Sequence, residues 1–128
     1  MARRFTIRGT VVLLAVLAAT AALAVPAHTA GAAAPTRLQV VEKEYYLTLS
    51  RLRVHSGRVT VQVVNFGMDD HDLVIQSNKT SASVWKTSLL SPEGMATKTI
   101  ALKPGKYTLS CTLPGHRQLG MVATLTVT

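Results

Sequence analysis

From Leu38 onward, apolar and polar positions alternate with a period close to two, the spacing of strands that show one face to a core and the other to water. Leu38–Val41 and Tyr45–Leu49 are rich in strand formers, and Arg51–Val54 is a shorter stretch closed by the turn residues His55, Ser56 and Gly57. Val59, Val61 and Val63 alternate with polar neighbours and are expected to face the core, after which Asn65-Phe66-Gly67 turns the chain. His71, Leu73 and Ile75 share parity, so His71 is expected at the rim of that core. Ser77–Thr87 is polar apart from Val84 and Trp85, shows no period, and is expected to form a loop or a short helical turn. Turns at Ser91–Gly94 and Lys103–Lys106 bracket a strand over Ala96–Leu102. Tyr107, Leu109 and Cys111 then alternate, Pro114-Gly115 breaks the run, and Met121–Val127 resumes it. About seven or eight short strands at this spacing predict an all-β, Greek-key β-sandwich, with no internal repeat and no long amphipathic helix.

The N-terminus is patterned differently. Arg3, Arg4 and Arg8 precede an apolar run, Val11 to Val25, that ends in the small-residue cleavage pattern Val25-Pro26-Ala27, the order of features in an export signal. Residues 1–27 are therefore read as a signal peptide; the alternative, an uncleaved anchor, is disfavoured because the run is short for a span of about 20 residues. The arginine pair leaves both twin-arginine and general secretory export open. Residues 28–37, rich in Ala, Gly and Pro, read as a flexible spacer, and 38–128 as one domain. The expected location is the periplasm, the cell envelope or the medium.

Loss of the leader's three arginines takes the net charge from +8 to +5. The remaining cations are scattered singly, as on a solvated surface, and with only 5% aromatic residues the clustered basic stripe of a nucleic-acid binder is missing. Nucleic acid is not an expected partner, membrane contact would come only through an uncleaved leader, and a monomer is expected.

The chemistry concentrates in one corner of the chain. Cys111, His116 and Met121 place a thiol, an imidazole and a thioether along a strand, a tight turn and the next strand. A soft thiolate, an imidazole and a weaker thioether suit copper, and His71, where a polar turn passes into an apolar strand, can supply a second imidazole. Cys111 is the single cysteine, so an internal disulfide is excluded and an inert, dimerising or nucleophilic thiol is the alternative. A Cys111–His116 nucleophile pair lacks an evident orienting group and oxyanion hole, so no enzyme activity is expected. Asp72 is either a tie between the two ligand-bearing stretches or a solvated turn carboxylate like Asp69 and Asp70. Asn65 is expected to shape a turn. His55 and His28 are expected to be bystanders, although cleavage after Ala27 would let His28 chelate cupric ion through its α-amine.

Laid out in this way, the mature chain resembles the cupredoxins, the small blue copper proteins. The resemblance rests on Asn65–Ile75 with His71, on Pro104-Gly105-Lys106-Tyr107, and on Cys111-x4-His116-x4-Met121 with Pro114-Gly115 before the histidine and Gly120 before the methionine. It implies an eight-strand sandwich holding one copper ion, Cu(I) or Cu(II), through His71, Cys111, His116 and a distant axial Met121. It further implies single-electron transfer to transient redox protein partners that dock near the exposed edge of His116, where Gly67, Met68, Pro114 and Leu119 are expected to form an apolar patch. Delivery of copper within the cell envelope, through the same four residues, is the alternative function.

Overall fold

The computed structural model describes residues 34–128. The expected leader and residues 28–33 of the expected spacer lie outside the described residues. Strand formation begins earlier than the alternation indicated, since Thr36 and Arg37, placed above in the spacer, already pair in the first strand.

The described residues form nine strands and one helical turn: β1 Thr36–Lys43, β2 Tyr46–Leu49, β3 Arg53–Val54, β4 Gly57–Asn65, β5 Val74–Ser77, β6 Ser83–Lys86, β7 Met95–Leu102, β8 Gly105–Ser110, α1 His116–Leu119 and β9 Val122–Val127. They build a four-stranded sheet of order β2-β1-β4-β7 and a five-stranded sheet of order β3-β9-β8-β5-β6. Both sheets are mixed. β1 runs parallel to β4 and β3 parallel to β9, while the remaining pairs are antiparallel.

The core lies where the alternation placed it. Leu38 and Val40 of β1 and Val59, Val61 and Val63 of β4 are fully buried, as are Ile75, Leu109 and Leu125 of the other sheet. Burying each such side chain stabilises the fold by roughly 1.5–3 kcal/mol. Tyr107, also buried, spends its hydroxyl on the preceding turn, donating to the Lys103 carbonyl at 2.9 Å and accepting from the Lys103 amide at 3.1 Å. This ties the Pro104-Gly105 reversal to β8.

One stretch departs from the expectation. Ser77–Thr87 is not a loop or helical turn throughout, because Ser83–Lys86 pairs with β5 as the outer strand of its sheet. Its side chains are exposed apart from Trp85, which packs against the core, and the register shifts between Ile75 and Gln76. An outer strand with one anchoring residue and a bulge has little period to show.

The parallel pairing of β1 and β4 sets Glu42 beside Asn65 at the ends of their strands. In the other sheet, Val74, Ser110 and Val122 stand in register at the corresponding ends of β5, β8 and β9. Two of the segments that adjoin these ends, 66–73 and 111–121, carry the candidate ligands.

Candidate metal centre

Asn65 organises the first ligand segment. Its Oδ1 accepts from the Gly67 amide at 2.8 Å, and its Nδ2 donates to the carbonyls of Asp69 and Leu90, each at 2.8 Å. The turn expected of Asn65 is thereby closed and pinned to the strand-like residue Leu90. His71 forms an antiparallel bridge with Leu90, donating to its carbonyl at 3.0 Å and accepting from its amide at 2.7 Å. His71 is fully buried, deeper than the rim position expected. Asp72 and Val74 are buried as well, so the period-two reading of this segment does not separate an inner from an outer face.

The second segment is a closed corner. Cys111 follows β8 directly, and its amide donates to the Met121 carbonyl at 3.2 Å, while the Met121 amide donates to the His116 carbonyl at 3.0 Å. These two bonds tie Cys111, His116 and Met121 through one backbone network. Gly120 ends α1 with φ of 127°, a conformation costly for any residue with a Cβ, and a Cβ there would stand 2.7 Å from the Tyr45 carbonyl oxygen. The chain can pass only as glycine, which brings Tyr45 against the corner with its ring edge-on to His116, centroids 5.1 Å apart.

Asp72 joins the two segments. Its Oδ1 accepts from the Thr112 amide at 2.6 Å and its Oδ2 from the Thr112 hydroxyl at 2.5 Å, with Lys86 Nζ 3.1 Å from Oδ2. Of the two readings open from the sequence, the tie is the one formed; Asp69 and Asp70 are exposed. Burial pushes the Asp72 carboxyl upward, but the Thr112 hydrogen bonds and Lys86 overcome it and hold it below the usual carboxylate range.

Three donor atoms converge. His71 Nδ1 lies 3.2 Å from His116 Nδ1, and Cys111 Sγ lies 3.7 Å from His116 Nδ1. All three fall within 4.8 Å of one another. Donors around one tetrahedral ion, with metal–nitrogen and metal–sulfur distances of about 2.0 and 2.3 Å, would stand about 3.3 Å apart for a nitrogen pair and about 3.5 Å for nitrogen and sulfur. The spacing therefore fits a single ion, and two imidazoles with one thiolate fit copper. Met121, the fourth residue expected, is fully buried beside this network. Burial raises the Cys111 thiol above its ordinary value, with the nearby Asp72 charge adding to the effect. A metal ion held here would have to take the place of that proton. His116 is partly exposed, His55 is exposed, and His28 lies outside the described residues.

Two carboxylates at this end had not been singled out from the sequence. Glu44 Oε1 accepts from the amides of Met68 and Asp69 at 2.5 and 2.8 Å and lies 3.2 Å from His71 Nε2. The Asp69 amide bond is the largest influence holding the Glu44 carboxyl down at about 2. Glu42 is fully buried with neither carboxylate oxygen hydrogen-bonded, and burial, aided by the Asp72 charge, pushes it up to about 7. Glu42 shares parity with Leu38 and Val40, so an acid on a core face was visible in the alternation. Glu44 lies in a connection, where nothing in the pattern marks it.

The chain belongs to the cupredoxin-like domain family, whose model matches residues 13–127. No curated protein sequence matches it. Among solved structures, it is similar to a dithionite-reduced auracyanin from the photosynthetic bacterium Roseiflexus castenholzii, at 22% identity over 75% of this chain and 99% of that one, with a TM-score of 0.61. Auracyanin A, a "blue" copper protein from Chloroflexus aurantiacus, is similar at 16% identity over 74% of this chain and 100% of that one, with a TM-score of 0.59. Reduced rusticyanin is similar at 19% identity over 75% of this chain and 82% of that one, with a TM-score of 0.60. These likenesses are of fold.

Proposed function

We propose that the chain is an exported mononuclear type 1 copper protein that carries single electrons between redox partners, with His71, Cys111, His116 and Met121 as the ligands. The observation that carries this reading is the convergence of two imidazole nitrogens and one thiol sulfur, from two segments 40 residues apart at Cys111 and His71, within 4.8 Å. The fold shared with a "blue" copper protein supports it. A bound copper ion supplies one-electron chemistry, alternating between the cuprous and cupric states. Four protein donors leave no position for a substrate, which favours a carrier over an enzyme.

The protein's part is to keep the donors from rearranging. Asn65 fixes the turn before His71, Asp72 clasps Thr112 beside Cys111, and the backbone bonds of Met121 close the corner. Burial of His71, Cys111 and Met121 keeps water from the thiolate. His116, partly exposed, is the route by which an electron leaves. Tyr45 lies edge-on against its ring, and exposed Phe66, Met68, Pro114 and Leu119 would supply the apolar rim of this proposed docking face. Such an apolar rim suits brief encounters that bury little area. Export follows from the arginine-flanked apolar leader and its small-residue end.

The test is to add cupric ion to the purified mature protein. Intense visible absorption from thiolate-to-copper charge transfer, abolished in Cys111→Ser, is the expected result. Weak, colourless binding that passes readily to an acceptor would replace the carrier by the delivery function.

A further inference from the structure

We infer that Glu44 is a positioning residue for the metal centre: its carboxylate holds the buried His71 ring by Nε2 and so directs the Nδ1 lone pair at Cys111 and His116. The inference rests on the copper reading above. Three observations carry it. Glu44 Oε1 lies 3.2 Å from His71 Nε2, on the side of the ring opposite the Nδ1 that faces His116. The same oxygen is held by two backbone amides, those of Met68 and Asp69, so its position is set by the turn rather than by a free side chain. Finally, a Cβ on Gly67 would collide with the Glu44 carboxylate and would stand 2.9 Å from His71 Nε2; the absence of a side chain there leaves the space that the pair occupies.

The chemistry follows from donor counting. An ionised carboxylate only accepts hydrogen bonds, so the proton of a neutral His71 belongs on Nε2 and the lone pair on Nδ1. A carboxylate behind a ligating imidazole raises its basicity and fixes its ring orientation. The Glu44 negative charge, close behind the ring in a partly buried setting, favours the higher positive charge at the centre and therefore the cupric over the cuprous state. Asp72 leaves His71 alone, since its oxygens are committed to Thr112 and Lys86. The two carboxylates have different tasks: Asp72 joins the segments and Glu44 directs the imidazole.

The experiment compares the full mature protein with Glu44→Gln, which keeps an acceptor oxygen but loses the charge, and Glu44→Ala, which loses both. Cupric and cuprous affinities are measured separately by chelator competition, the reduction potential by titration, and the His71 tautomer in the metal-free protein by nitrogen NMR. Cupric affinity is expected to fall about 10–100-fold in Glu44→Ala. Cuprous affinity should fall less, and each tenfold change in their ratio raises the potential by about 59 mV. Glu44→Gln should raise the potential while keeping the Nε2–H tautomer. Variants that lose stability but retain both the affinity ratio and the tautomer would show a purely structural Glu44 and overturn the inference. A wild-type protein that never turns blue sinks the copper reading instead. In that case, loss of the Nε2–H tautomer in metal-free Glu44→Ala upholds the His71 contact, and its persistence overturns it.

Discussion

The middle of the sandwich and the end that carries the candidate ligands are both buried, yet they are built on opposite terms. In the middle, Val59, Val61, Val63, Ile75, Leu109 and Leu125 exclude water without directional bonds, and side chains of similar size could be exchanged at modest cost. At the end, Asn65, His71, Asp72 and Cys111 are buried too, but their polar atoms have assigned partners and required directions, and only Glu42 among the buried groups there has none. The middle stabilises the fold by quantity of buried surface. The end spends part of that stability to hold titratable groups where water would otherwise compete for them.

The sharpest way to break this contrast is to damage the middle alone. Leu109→Ala should cost about 2–5 kcal/mol in urea unfolding, while the visible band of the still-folded, copper-loaded protein keeps its position. A shifted band would mean that the core shapes the centre directly.

Next in size is the one acid whose burial goes unanswered. Glu42 keeps its proton in the folded state up to about pH 7 but releases it near its ordinary value of 4.5 when unfolded. Between these values the folded state binds the extra proton, so stability falls as pH rises through the window and levels off above it. The loss is on the order of 3 kcal/mol at about 1.36 kcal/mol per pH unit. Glu42→Gln should lack that slope, which the difference between the two proteins' unfolding free energies from pH 4.5 to 8 isolates. Equal slopes would show that Glu42 has found a partner. Glu44 runs in the opposite sense: its lowered pKa contributes stability above pH 4.5 that is lost as pH falls toward about 2.

The smallest expected effect lies outside both regions. Leu119, 61% exposed at the end of α1, contributes little to folding, so Leu119→Glu should change stability by no more than about 0.5 kcal/mol. Electron exchange with a partner should nevertheless slow, with the visible spectrum intact. If spectrum and exchange change together, the exposed rim is not separate from the centre.

Legibility followed the same division. Period-two alternation located the valines of β4, because a strand with one wet face writes its burial into every second residue, and the turn residues themselves marked the reversals at Asn65 and Pro104. It missed β6, whose single inward anchor, Trp85, leaves nothing to alternate. The donor set could be read because thiol, imidazole and thioether recur at fixed spacing across a Pro-Gly turn. Glu44 could not, since its significance comes from lying 27 residues away from the ring it contacts.

Residue order alone specified the strand-forming stretches, the residues able to face a core, and the soft-donor chemistry available at Cys111, His116, Met121 and His71. Folding was needed to establish that Asp72 clasps Thr112, that Glu44 stands behind His71, and that Glu42 is sealed in without a partner. The reason is physical: burial and donor type are properties of single positions and leave a local trace, whereas hydrogen-bond partnership depends on which strand ends the sheet pairing brings side by side.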